Sequence, residues 1–453
     1  MINCAVYHTR QTHFTKLEAL EAYTTFWCGD ELRWGWKTRA CDTTYPELDK
    51  ILKDNPHYKA LAAQAAQQTL KAVSEAITGY NKLVSLYYQG EVNKPSILRY
   101  RKKGGLAAVT FPRQALTYSD GVFRPSISRE TKPELIADIT LPLPEFIESD
   151  WVKEVTVRPY LGEFWLDWVI DDGKEPIDIN PHLDYRQAWG FDHGGNNWLT
   201  GVSTQGKSLI LDGAKLRSMN QGYCRLVAKY KQGKSEFYWD SHLDRIQRQR
   251  NNQRRDAINK AARFIVNQCL NDGIGNIVFG WNEGQKNSSN LGKRGNQNFV
   301  PIPTGRLIQR VKQLAQEYGI VVTLTEEANT SKASFLDGDT LPKHGEKPVG
   351  WRASGKRSHR GLYQTAAGML INADCNGAAN IIRKVEKQLG LCLAKICRGS
   401  LTLPRRVDLF TGLSKSYRKR CLGALSAPRQ QLLRIPSVST RGDVNSLNVS
   451  MDS

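Results

Sequence analysis

The chain has no run of about 18 apolar residues, so no membrane-spanning helix is expected. Its opening residues, Met1 to Arg10, lack the apolar centre of a signal peptide. Its nine cysteines include no Cys-x-x-Cys pair. An odd, unpatterned set without an export signal reads as reduced thiols in a cytoplasmic protein. The eight histidines show no metal-ligand spacing, which argues against a zinc enzyme. No Ser/His/Asp triad and no phosphate-binding loop stands out. Acidic residues are scarce relative to basic ones: 44 Asp and Glu face 64 Lys and Arg, a formal charge of +20.

What is present points to a folded, polyanion-binding chain. A hydrophobic fraction of 40% supports a core, and 453 residues suggest two or three domains. A strong positive field on a folded protein fits nucleic acid as partner. A membrane surface fits less well, since no long basic stretch carries a bulky apolar face.

Residues 1–105 read as an N-terminal region with a helical module. Residues 12–55 mix aromatics and charges, with room for a short helix or two. From Pro56, apolar and alanine positions recur at helical spacing through Tyr58, Leu61, Ala65, Thr69, Val73, Ile77 and Tyr80. Residues 106–180 are rich in β-branched and aromatic residues and turn signals, and are expected to form a small antiparallel barrel or sandwich. Residues 181–390 change character. Ala188 to Asp192, Trp198 to Thr204 and Ser208 to Leu211 read as a three-stranded meander. A basic helix follows from about Asp240 to Leu270, then a strand at Asn276 to Gly280, a helix from Thr304, a strand at Ile320 to Thr325 and a helix near Asn376 to Lys384. That is the order of an α/β RNase H-like domain, with the last two strands parallel to the first. Residues 391–453 read as a basic, disordered tail.

Three acids around this sheet are candidates for chemistry. Asp192 ends an apolar strand just before a glycine turn, where a carboxylate can ligate a divalent cation; a turn-initiating aspartate is the plainer reading. Asp374 opens a helix rich in small residues, where it can equally be a first-turn aspartate. The third acid is open between Glu327, at the end of the strand through Thr325, and Glu283, three residues past Gly280. Glu326 should point away from Glu327 if the strand continues. Together the acids suit two Mg²⁺ or Mn²⁺ ions acting on a phosphodiester.

Gly190-Phe191-Asp192-His193-Gly194-Gly195-Asn196-Asn197 resembles the first RuvC motif of the TnpB (OrfB) family, which insertion sequences encode. Asn372-Ala373-Asp374-Cys375-Asn376-Gly377-Ala378-Ala379-Asn380-Ile381 resembles its third. Thr330-Ser331-Lys332-Ala333-Ser334-Phe335 resembles the segment leading into its zinc ribbon, and the resemblance spans roughly residues 56–384. It implies a RuvC-type, RNA-guided DNA endonuclease related to type V CRISPR effectors. The expected partners are a guide RNA from its own element and double-stranded target DNA. A monomer near the nucleoid is expected, without a membrane.

The chain departs from the family pattern in three places. Gly280 stands where the second-motif glutamate usually ends its strand, which makes Glu327 the first choice for the third ligand and Glu283 the second. The Cys pairs of the zinc ribbon are missing, so no zinc is expected. The N-terminus lacks the family's usual opening, which leaves the first barrel strand shortened or absent. In place of the ribbon, residues 330–370 form a basic insertion, either a nucleic-acid loop or a disordered excursion. The expected nucleic-acid contacts are Arg245, Arg248, Arg254 and Arg255 on the long helix, with Lys332, Arg352, Lys356, Arg357 and Arg360 in the insertion. A nuclease-dead RNA-guided repressor and a strand-joining transposase are the alternatives.

Overall fold

The computed structural model describes all residues except 19–22, 37, 103, 135–136, 195–196, 283–302, 344, 360, 411–444 and 448–453. The chain divides into two units, Met1–Lys174 with Val438–Ser453, and Glu175–Ser437.

The first unit begins with α1 (Ile2–Glu18), a hairpin of β1 (Tyr23–Cys28) and β2 (Glu31–Trp36), then α2 (Tyr45–Leu52), α3 (Pro56–Lys59) and α4 (Ala63–Tyr88). α4 follows the apolar spacing seen in sequence, burying Ala66, Leu70, Val73, Ile77 and Tyr80 against Ala5, Leu48 and Leu52. α1 and the hairpin carry no such signal. The residues α1 buries include Thr9 and His13, which a search for apolar periodicity passes over.

Of the barrel or sandwich expected here, the structure shows two antiparallel sheets sharing one core. β3 (Val109–Pro112), β7 (Val152–Tyr160), β8 (Glu163–Ile170) and β18 (Asn445–Leu447) form one sheet, and β4 (Leu116–Ser119), β5 (Val122–Pro125) and β6 (Leu141–Pro142) the other. Phe123, Leu141, Val155, Leu166 and Trp168 fill the core. The helical and β regions, read as separate domains from sequence, belong to one unit because α4 packs on β3.

The second unit is built on a six-stranded sheet. β9 (Asp184–His193), β10 (Asn197–Ser203) and β11 (Ser208–Asp212) form the meander. α5 (Ala214–Lys231) and α6 (Ser241–Asp272) follow, then β12 (Ile274–Gly280), α7 (Thr304–Gln316) and β13 (Val321–Thr325). β12 lies parallel to β9, and β13 parallel to β12. The order β13-β12-β9-β10-β11 and the strand directions are those expected of an RNase H-like sheet.

Alternation along β9 sorts its side chains between two layers. Trp189 and Phe191 join Phe279, Ile265 and Leu307 in the core under α6 and α7. Ala188 joins the core under α8 (Ala373–Leu389), with Ala378, Ile381 and Ile382. Gly190 faces α8 directly: a Cβ there would lie 2.2 Å from Ile382 Cγ1 and 2.9 Å from the Ala378 carbonyl. Helix and strand meet this closely only because the residue between them has no side chain.

Residues 391–410 correct the expectation of a disordered tail. They contain α9 (Arg398–Thr402) and β17 (Arg405–Val407), which adds a sixth strand parallel to β11. A three-residue strand reading Arg-Arg-Val has too little apolar character to be seen in sequence.

The insertion is organised by polar side chains. Among its elements are β14 (Lys356–His359), β15 (Leu362–Gln364) and β16 (Leu370–Asn372), which leads straight into α8. Asp339 Oδ2 accepts from the Ser334 and Ser354 amides at 2.7 and 3.1 Å, and Asp337 Oδ2 accepts from the Ala366 amide at 2.8 Å. Buried Asn380 on α8 donates to the carbonyls of Thr330 and Ala333 at 2.9 and 2.8 Å, and Asn376 donates to Ala333 as well. Asn380→Ala takes the side-chain donor from the Thr330 carbonyl, while Ala333 keeps Asn376, and is expected to cost about 1–3 kcal/mol, read from urea unfolding. An unchanged midpoint would mean that these bonds do not anchor the insertion.

Candidate functional site

A cleft of about 920 Å³ opens at one end of the sheet, lined by Asp192, His193, Asn197, Glu327, Arg357, Asp374 and Arg406 among others. Asp192 comes from β9, Glu327 from the segment after β13 and Asp374 from α8, and Asp212 at the end of β11 also lines it.

Asp192 lies on the α8-facing side of β9, opposite Thr200 of β10. Its carboxylate sits against Gly377 of α8, where an added Cβ would lie 2.7 Å from Oδ2. Asp374 is in the first turn of α8, whose N-cap Asn372 accepts from the Asp374 and Cys375 amides at 3.0 Å each. Asp374 Oδ2 accepts from Asn197 at 2.8 Å, and Oδ1 from Arg357 at 3.1 Å. Arg406 of β17 reaches Asn197 Oδ1 at 3.3 Å. Arg357 comes from the insertion and Arg406 from the segment read as tail, so both border the acids through elements the sequence did not define.

Glu327 lies two residues beyond β13. Its amide donates to Asn282 Oδ1 at 3.2 Å, and its carbonyl accepts from the Thr330 hydroxyl at 2.8 Å. Parallel pairing sets Gly280 beside Thr325. A Cβ on Gly280 would stand 2.9 Å from Glu327 Cγ and 2.5 Å from Ile381 Cδ1. The space a side chain at 280 would take is therefore occupied by Ile381 and Glu327. Glu326 turns the other way, to the nearly buried Lys384 of α8 at 2.8 Å. Glu283 lies outside the described residues.

His193 is the participant that sequence reasoning missed. Its Nδ1 lies 2.6 Å from Glu327 Oε1, and its ring is 5.4 Å from that of Trp281. Ligand atoms of Asp192, His193 and Glu327 all fall within 4.8 Å of one another. The histidines were set aside for want of spacing, yet a residue adjacent to Asp192 at a strand end needs no second histidine to reach the same cleft.

Desolvation is the main cause that pushes Asp192 up to about 7; Glu327 and Asp374 add to it, and His193 and Arg357 act against it. A carboxylate cluster of this kind, with a buried imidazole beside it, is a donor set for a hard divalent cation.

The expected nucleic-acid residues divide. Lys332, Arg352, Lys356 and Arg357 are exposed on the insertion; Arg360 lies outside the described residues. On α6, Arg245 is exposed, whereas Arg248, Arg254 and Arg255 are half-buried. Burial and the nearby Arg250 and Arg306 pull Arg254 down to about 10. Arg250 bonds Asn220 of α5 and lies over the Tyr223 ring. Part of the basic helix thus fastens α6 to α5.

No family model matches the sequence, and no curated protein does. Among solved structures, the chain is similar to a Cas12f1–sgRNA–target DNA complex at 13% identity, over 75% of this chain and 76% of that one, with a TM-score of 0.44. It is also similar to a CRISPR-Cas12f ternary complex at 14% identity, over 75% and 74%, with a TM-score of 0.31. Likeness at these levels assigns no residue and no activity.

The raised Asp192 value has a thermodynamic consequence. Between the unfolded value near 4 and the folded value of about 7, the native carboxyl keeps a proton that the unfolded chain has released. Its contribution to stability is therefore full below about pH 4 and lost as pH rises through about 7. In chelator, Asp192→Asn should melt above the wild type at pH 8 and alongside it at pH 4. A melting difference that does not change with pH would remove the buried charge as its cause.

Proposed function

We propose that this chain is an RNA-guided DNA endonuclease of the TnpB type, hydrolysing phosphodiester bonds with Mg²⁺ or Mn²⁺ held at the cleft. The observation that carries the reading is the convergence of Asp192, Glu327 and Asp374 in one cleft, with Gly280 leaving room for Glu327. The absence of a carboxylate at 280 favours a nuclease-dead binder, and the approach of Glu327 to that place supports the enzyme instead.

Asp192, Glu327 and Asp374 are the residues that would hold the metal. Bound there, divalent cations supply an activated water and stabilise the leaving oxygen. His193 orients Glu327 from behind. Arg357 neutralises Asp374 in the resting protein and is placed to pass to a phosphate once the carboxylate has another partner. Arg406, through Asn197, fixes the orientation of the Asp374 carboxylate. The basic insertion and α6 would follow the nucleic-acid backbone, while base pairing with the guide carries sequence recognition.

Purification from cells carrying the surrounding DNA element, followed by sequencing of the bound RNA, tests the guided reading. A discrete RNA from the element's end is expected. Strand-transfer product without RNA would favour a transposase. With that RNA, Asp192→Ala, Asp374→Ala and Glu327→Gln should each abolish Mg²⁺-dependent cutting and leave binding near the wild-type level; full cleavage by any of them removes that residue from the site. His193→Ala should weaken Mn²⁺ binding roughly 10–100-fold, and His193→Gln, which keeps a donor, should recover part of it. Equal Mn²⁺ affinity in both variants and the wild type would deny His193 a positioning role.

A further inference from the structure

The connection between α5 and α6 carries aromatic side chains that neither the sheet nor the cleft uses. Phe237 is 92% exposed and Trp239 44%. Exposure on a loose loop would mean little, but the residues around Phe237 are tied down. Asp240 caps α6 by accepting from the Leu243 amide at 2.9 Å. Its other oxygen accepts from the Tyr230 and Tyr238 hydroxyls at 2.8 and 2.7 Å. Lys234 Nζ lies 3.6 Å from the Tyr230 ring centre and 4.3 Å from that of Tyr238. Lys231 donates to the Glu236 carbonyl at 2.6 Å, and Trp239 Nε1 to Asp244 at 2.7 Å. The loop is held from both sides, and the ring of Phe237 is left in solvent.

The charge distribution indicates what such a ring would meet. Residues 1–174 contain as many Lys and Arg as Asp and Glu, so the whole positive excess lies in the rest of the chain. Close to Phe237 in sequence stand the exposed Lys229, Lys234 and Arg245 and the half-buried Lys231, against Glu236, Asp240 and Asp244. A rigid aromatic ring among exposed cations suits a nucleobase with its flanking phosphates, since every base offers a π-face and the cations answer the backbone.

We propose that Phe237 is a stacking platform for an unpaired nucleobase, with Lys229 and Lys234 meeting the adjoining phosphates. The proposal rests on the nucleic-acid reading above, but not on cleavage or on the acids of the cleft. The test uses the full chain and fluorescein-labelled single strands of about 16 nucleotides, one DNA and one RNA of the same sequence. Phe237→Ala should lower affinity roughly five- to hundred-fold. Phe237→Trp should retain it, and Phe237→Leu, which keeps apolar bulk without a π-face, should behave like the alanine variant. A larger loss on one strand type names the source of the base. If the wild type binds and either the alanine or the leucine variant binds equally well, the platform is wrong and the nucleic-acid reading stands. If the wild type binds neither strand, both fall. Loss of self-association in Phe237→Ala with unchanged strand binding would make the ring a protein contact and overturn the proposal.

Discussion

The close approach of α8 to β9 governs the rest of the second unit. Gly190 lets the Ala378 carbonyl and Ile382 come down onto the strand, and Gly377 leaves the volume that the Asp192 carboxylate fills. With the helix this near, its first turn brings Asp374 into the cleft that Asp192 lines. A methyl group at either glycine would force the helix away or push the carboxylate aside. Close packing leaves little slack for either. The spacing that makes the core dense therefore also takes the Asp192 carboxyl out of water, the main cause of its rise, and brings Glu327 and Asp374 near it.

The third acid shows how a sheet can supply one position from a different strand. Parallel pairing puts the end of β13 beside the end of β12, so a side chain just past Thr325 can occupy space above Gly280. Two consecutive glutamates then part: Glu326 goes to Lys384 on α8, and Glu327 goes to His193 and the cleft. Thr330 and Asn282 hold the Glu327 backbone, so its direction does not depend on a continued strand.

The basic insertion and the segment after α8 extend this frame. Both contribute an arginine near Asp374, Arg357 directly and Arg406 through Asn197. The insertion keeps its shape through carboxylates that accept backbone amides and through asparagines of α8 that cap its carbonyls. Buried polar groups satisfied in this way specify one conformation of a loop that has little apolar material of its own.

The sequence by itself indicated the order of strands β9 to β13 with helices α6, α7 and α8 (though not α5), the candidates Asp192 and Asp374, and the α4 helix. Those features rest on local signals: apolar runs, period and the small residues around each acid. Tertiary structure alone shows that Glu327 and Ile381 take up the space above Gly280, that His193, Arg357 and Arg406 line the same cleft, and that β17 extends the sheet. Each depends on which segments lie side by side. α1 and the β1–β2 hairpin were equally illegible, because α1 buries threonine and histidine beside Ala5 and Val6, while among the hairpin's described side chains Trp27 and Trp34 face solvent and Phe26 and Cys28 face inward. Local pattern reports how a segment meets a core, and it carries no record of which distant side chain arrives at the same point.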